Sequence, residues 1–169
     1  MIFFIQDLIT LILLLIMTNI LITGGTGFIG IPLVKKLHEL GHGLKLLIRE
    51  SSNTTPFKEL NNIEYVIGDI QDTSSLEKAV SNVDAIYHLA ANTAIWTKEK
   101  SIYYDVNVKG TENVANIALK NNLKLFYMSS FTALGPTPQE AVDETHENED
   151  FCMEYEKSKF QAKKLVKSY

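Results

Sequence analysis

Cysteine is almost absent from this 169-residue chain: there is one, Cys152, so no internal disulfide forms and no thiolate cluster can hold a metal. The four histidines, His38, His42, His88 and His146, show no ligand spacing, so no metal is expected and each is read as structural or solvent-exposed. Basic runs are missing as well. The net charge is −4 and the lysines are scattered over several predicted helices, which excludes a nucleic-acid surface. Arginine occurs only at Arg49, in a chain that otherwise uses lysine. No internal repeat or low-complexity linker appears. The apolar and charged fractions are those of a globular protein, one α/β domain is expected, and the lone thiol fits a reducing compartment, the cytoplasm.

Residues 1–17 are almost wholly apolar, broken by Gln6, Asp7 and Thr10. The run lacks a basic n-region and a small-residue cleavage site, and it is shorter than the ~20 residues of a spanning helix. Only Thr18 and Asn19 separate it from the first expected strand. Two extended residues reach about 7 Å, too little to leave a bilayer and enter a sheet. Met17 is therefore the expected natural start, with residues 1–16 as upstream sequence; a membrane anchor formed by residues 1–17 is the alternative.

What the chain does have is Thr23-Gly24-Gly25-Thr26-Gly27-Phe28-Ile29-Gly30, between the apolar run Asn19-Ile20-Leu21-Ile22 and the helical pattern Ile31-Pro32-Leu33-Val34-x-x-Leu37-x-x-Leu40. Gly24 suits the positive φ of a tight strand-to-helix turn. Gly27 lets backbone approach a pyrophosphate, and Gly30 lets the helix pack on the strand. Unpaired N–H groups at the helix start then face the anion. Both Gly24-x-x-Gly27-x-x-Gly30 and Gly25-x-Gly27-x-x-Gly30 can be read, so spacing leaves the dinucleotide-binding variant open. The competing reading is an ordinary glycine-rich turn, and the strand–turn–helix context favours phosphate binding.

Strand-like runs then alternate with helical patterns, the signature of βαβ units and a parallel sheet. Strands are expected near 19–23, 44–48, 63–67, 84–88 and 124–128. Helices are expected near 28–40, 73–81, 101–120 and 152–168, with a short one near 56–60. Gly41 should end the first helix and Asp72 should cap the second. The acidic stretch 139–150 reads as a surface loop. A Tyr-x-x-x-Lys pair occurs only at Tyr155 and Lys159. Alone it means little, because composition yields about 0.6 such pairs by chance.

In order, Thr23-Gly24-Gly25-Thr26-Gly27-Phe28-Ile29-Gly30, Gly68-Asp69-Ile70, His88-Leu89-Ala90-Ala91, Asn107-Val108-Lys109-Gly110-Thr111, Ser129-Ser130 and Tyr155-Glu156-Lys157-Ser158-Lys159 resemble the extended short-chain dehydrogenase/reductase superfamily, the NAD-dependent epimerase/dehydratase group, from about Thr18 to the last residue. Trp96, Ala133-Leu134-Gly135-Pro136 and the Tyr155 to Lys159 segment look most like its dihydroflavonol-reductase-like and hopanoid-associated sugar-epimerase members.

The resemblance implies a Rossmann-like doubly wound parallel sheet with helices on both faces, here truncated after about five strands. Residues 17–169 would be an incomplete dinucleotide-binding domain whose C-terminal substrate-binding region is absent. It implies an NAD(P)-dependent oxidoreductase or epimerase acting at a hydroxyl or carbonyl of a small molecule, a sugar nucleotide or flavonol-like ketone. Ser130, Tyr155 and Lys159 would be catalytic: Tyr155 as general acid/base, Ser130 as hydrogen-bond donor to the same oxygen, and Lys159 as the cation that tunes the phenol and holds the nicotinamide ribose. Gly24, Gly27, Phe28, Ile29, Gly30, Ile70, Leu89, Ala90, Ala91, Asn107, Tyr155 and Lys159 count among the cofactor contacts. So does Asp69, at the adenine amino group, whose competing reading is a turn residue.

Arg49 ends the second strand, where an acidic residue would bind a ribose 2′-OH and an arginine accommodates the 2′-phosphate, so NADP(H) is favoured and NAD(H) is the alternative. The alternatives for the whole chain are a non-catalytic dinucleotide-binding fragment and the product of an interrupted gene. The fifth strand is expected to leave an open edge, which a homodimer or a second chain would complete.

Overall fold

A computed structural model describes residues 18–169 other than Ile95 and Glu144. The apolar run of residues 1–17, on which the start and anchor expectations rest, lies outside these residues. No helix among the described residues is long and apolar enough to cross a membrane.

Five strands, β1 (Asn19–Thr23), β2 (Gly43–Ile48), β3 (Ile63–Ile67), β4 (Ala85–His88) and β5 (Lys124–Tyr127), form one sheet in the order β3-β2-β1-β4-β5. Every pairing is parallel. The chain winds one way from β1 to β3 and the other way from β4 to β5, so the strand order reverses between β1 and β4. Ligands bind outside the carboxyl ends of the strands at such a point. Thr23 and His88 stand opposite each other at that end.

Both sheet faces are covered, which explains the continuous apolar runs of β1 and β2. On one face Leu21, Leu47 and Ile86 pack with Leu76 and Ala79 of α2 (Thr73–Ala79) and Val114 and Ile117 of α4 (Thr111–Lys120). On the other, Ile20, Ile22, Leu44 and Leu46 pack with Val34 and Leu37 of α1 (Gly30–Glu39) and with Phe57. Helix α1 starts at Gly30 rather than at 28, because Phe28 and Ile29 belong to the preceding turn and stand exposed. It ends at a left-handed Gly41, φ 83°, with the His42 N–H bonded to Leu37 C=O and the Gly41 N–H to His38 C=O. Asp72 caps α2, its carboxylate accepting from the Ser74 N–H at 3.0 Å.

The expected helix over 101–120 forms in three pieces: α3 (Ser101–Tyr104), a π-turn over Asp105–Gly110, and α4. A side chain accounts for the interruption: the Thr111 hydroxyl donates to Asn107 C=O at 2.6 Å, while the Thr111 N–H bonds to Val108 C=O. The last helix, α5 (Glu154–Lys167), is capped by Glu156, which accepts from the Met153 N–H at 3.2 Å. Among the described residues strand β5 pairs only with β4, and Phe126 on it is exposed, its ring 4.5 Å from that of Tyr87.

Candidate functional site

A groove of about 560 Å³ opens at the carboxyl ends of β1, β2, β3 and β4. Its floor is Thr23 and the glycine turn. Gly24 has φ 73°, and a Cβ on it would lie 2.6 Å from Ala90 N. A Cβ on Gly30 would lie 2.3 Å from Gly24 C=O, so helix and turn meet backbone to backbone. Gly27 is different: its nearest neighbour would be Gly24 C=O at 3.2 Å, and its outer side is open. The helix that follows offers its first N–H groups at the same place.

The groove brings together eleven of the residues expected to touch a cofactor: the turn residues Gly24, Gly27, Phe28, Ile29 and Gly30; Arg49 after β2; Asp69 and Ile70 after β3; and Leu89, Ala90 and Ala91 after β4. The Asp69 carboxylate accepts from the Gln71 N–H at 2.9 Å, so it is also the turn residue of its competing reading. Sequence reasoning missed Ser52, Gln71, Thr26 and Thr93 on the same walls. Ser52 carried a signal, three residues past the only arginine: its hydroxyl accepts from the Arg49 N–H at 3.0 Å.

Asn107, Ser130, Tyr155 and Lys159 lie outside the groove lining, which Met128 reaches from the end of β5. The Asn107 side chain is 1% exposed. Its amide donates to Asn92 C=O at 3.1 Å and to Ser158 Oγ at 2.9 Å, and its oxygen accepts from the Asn92 N–H at 2.7 Å. Asn107 therefore ties the exit of β4 to α5, three residues past Tyr155. Ser130 caps the short turn Phe131–Leu134 and shares a hydrogen bond with Thr132 Oγ1 at 2.9 Å. Tyr155 is half-buried near the start of α5. The Tyr104 hydroxyl donates to Glu154 next to it, joining α3 to α5, and burial first and Glu154 second push the Tyr104 phenol up to about 12.

Lys159 is 3% exposed. Its ammonium donates to Met128 C=O at 2.8 Å and lies 4.4 Å from the centre of the Tyr127 ring. Burial lowers its pKa to about 8, so it is still a cation at pH 7 but holds its proton less tightly than an exposed lysine. The same burial raises the Tyr127 phenol, which stays neutral and has no hydrogen-bond partner among the described residues. His88 is fully buried; it bonds Thr23 and Thr111, and burial first and Lys159 second lower its pKa to about 3.

Comparison with known proteins extends these observations. The model of the 3-beta hydroxysteroid dehydrogenase/isomerase family matches residues 21–169. A Synechocystis protein provisionally named dihydroflavonol 4-reductase is 33% identical over 145 residues, covering 83% of this chain and 42% of its own. The N-acetyl-alpha-D-glucosaminyl-diphospho-ditrans,octacis-undecaprenol 4-epimerase of Escherichia coli O157:H7 is 32% identical over 151 residues, covering 89% and 43%. Among solved structures, the Bordetella bronchiseptica enzyme WbmH in complex with NAD+ superposes with a TM-score of 0.80 at 24% identity, covering 90% of this chain and 53% of its own. The chain spans less than half the length of these two curated relatives.

Proposed function

The chain belongs to the 3-beta hydroxysteroid dehydrogenase/isomerase family, within the NAD-dependent epimerase, dehydratase and reductase enzymes, and from that premise we propose that its groove binds NADP(H) and serves hydride transfer at a hydroxyl or carbonyl of a small molecule, a sugar nucleotide or a flavonol-like ketone. The observation that carries this reading is one groove in which a backbone-tight glycine turn, a lone arginine past β2 and a carboxylate past β3 line the carboxyl edge of the sheet. These residues fit a dinucleotide. The N-terminus of α1 and the open side of Gly27 would hold the pyrophosphate, and the small side chains of Ala90 and Ala91 would leave room for it. Hydride exchange with a substrate carbon is what the bound nicotinamide supplies.

The chain's own residues supply the rest. Arg49 is exposed, and its backbone is fixed by Ser52, so its guanidinium meets a 2′-phosphate as a charge-assisted, bidentate donor. Tyr155 exchanges a proton with the substrate oxygen. Lys159, one helical turn on, keeps a positive charge under the β5 end and favours the phenolate. Ser130 donates to the same substrate oxygen. A second reading, dinucleotide binding without turnover, is favoured by the lining of the groove, which includes none of Ser130, Tyr155 and Lys159.

Titrating the chain with NADPH and NADH tests the cofactor. NADPH should bind about 10- to 100-fold more tightly, the range of a charged hydrogen-bonded pair. Arg49→Ala should remove that preference while leaving NADH affinity unchanged; equal affinity of the wild type for both would sink the NADP(H) reading. Tyr155→Phe should abolish any reduction or oxidation the chain carries out and change NADPH affinity less than about twofold. Comparable loss of both would count against the acid/base role.

A further inference from the structure

One buried chain of hydrogen bonds runs from the floor of the groove to the π-turn. Thr23 Oγ1 is 2.7 Å from His88 Nδ1, His88 Nε2 is 2.9 Å from Thr111 Oγ1, and Thr111 Oγ1 is 2.6 Å from Asn107 C=O. Thr23, His88 and Thr111 are each 1% exposed or less, so water does not compete for these bonds.

The direction of the chain follows from the donors available. A carbonyl only accepts, so the single Thr111 hydroxyl proton goes to Asn107. Thr111 Oγ1 must then accept from the imidazole, which places the ring proton on Nε2. Burial keeps the ring neutral, so Nδ1 carries no proton and accepts from the Thr23 hydroxyl. Thr23 Oγ1 in turn faces the Ala90 N–H, at 3.4 Å, and Thr23 C=O accepts the Leu89 N–H at 3.0 Å. Ala90 is also the residue that a Cβ on Gly24 would strike at 2.6 Å, so the spacing between turn and Ala90 has no slack.

We propose that His88 and Thr111 are positioning residues: through Thr23 they hold Ala90 and the glycine turn at the separation that binds a dinucleotide, although neither lines the groove. The effect on affinity rests on the dinucleotide reading above; the polarity of the chain does not. In Thr111→Val the Nε2–H and Asn107 C=O lose their partners. An unmet acceptor in a buried site costs less than an unmet donor, so the ring proton moves to Nδ1, the Thr23 bond reverses, and the Thr23 proton turns away from the ring. Thr111→Ser keeps the hydroxyl and restores the original order.

The test is ¹⁵N-histidine and amide NMR on the full chain with NADPH and NADH titrations. The wild type should show His88 protonated at Nε2. Thr111→Val should show Nδ1–H, a displaced Ala90 amide resonance, and a loss of about tenfold in affinity for both dinucleotides alike, since the effect acts at the turn and not at Arg49. Thr111→Ser should return all three. Tautomer and Ala90 shift as described, with a wild type that binds neither dinucleotide, would leave the chain of bonds standing and overturn the dinucleotide reading and its affinity effect. An Nδ1–H tautomer in the wild type overturns the proposal whatever the groove binds. So does a Thr111→Val or Thr111→Ser protein that keeps the wild-type tautomer yet loses NADPH selectively.

Discussion

On the proposed dinucleotide reading, replacing Gly24 by alanine should lower affinity for NADPH and NADH alike by at least about 100-fold. Two costs add at this position. A left-handed φ of 73° costs an L-residue about 1–2 kcal/mol, which a folded domain absorbs. The contact is worse, because the new Cβ would sit 2.6 Å from Ala90 N and 2.8 Å from both Ala90 Cα and Leu89 C. These are backbone atoms just past β4, and no rotamer moves them aside. The carboxyl ends of β1 and β4, registered through Thr23 and His88, have to part or the turn has to lift. Either movement spoils the anion-binding N–H groups. Gly41→Ala is the control. It has φ 83° but nothing within 4 Å of its Cβ, so it should lose about 1 kcal/mol of stability and no affinity. Calorimetric titration of both variants, with thermal melts, separates the two costs. Binding by Gly24→Ala within threefold of the wild type would show that the turn does not carry the ligand.

The sheet and the groove were legible in the sequence because their determinants are local. Apolar runs marked all five strands to within a residue or two, and glycines and Arg49 punctuated the ends that line the groove. The π-turn was not legible, since inserting one residue hardly disturbs an apolar stripe. Only the spacing Asn107-x-x-Gly110-Thr111 hinted at it, with Gly110 giving close passage to Ile70, whose Cδ1 a Cβ would meet at 2.6 Å. His88 looked bland for another reason: its partners Thr23 and Thr111 are 65 and 23 residues away, the first brought to it by the register of β1 with β4 and the second by the packing of α4 on β4. The i,i+4 spacing placed Lys159 on the face of Tyr155 but did not reveal that its ammonium is buried under Met128 C=O.

That burial leads to a second large expected effect: Lys159→Met should raise thermal stability and, on the proposed hydride-transfer reading, remove turnover. The folded-state pKa of Lys159, about 8, lies below its ordinary 10.5, with burial as the cause. The hydrogen bond to Met128 and the Tyr127 ring favour the cation, yet burial outweighs them. The folded chain therefore binds this proton less well than the unfolded chain. At pH 7 both states hold it and the fold bears a cost on the order of 3 kcal/mol, at about 1.4 kcal/mol per pKa unit. As pH rises from 8 towards 10.5 the folded state sheds the proton first, the cost shrinks, and above 10.5 it is gone. Methionine fills similar volume without charge and leaves only Met128 C=O to find another donor. At pH 7 the variant should melt several degrees above the wild type, since 1 kcal/mol shifts a domain of this size by about 2–4 °C. The gap should close as pH approaches 10, and taking it as a difference cancels the titration of all other groups. A gap that is constant with pH, or a less stable variant at pH 7, would mean that the ammonium is held at no net cost. Loss of turnover with gain of stability would instead mark Lys159 as a charge kept for chemistry, because the fold alone is better served without it.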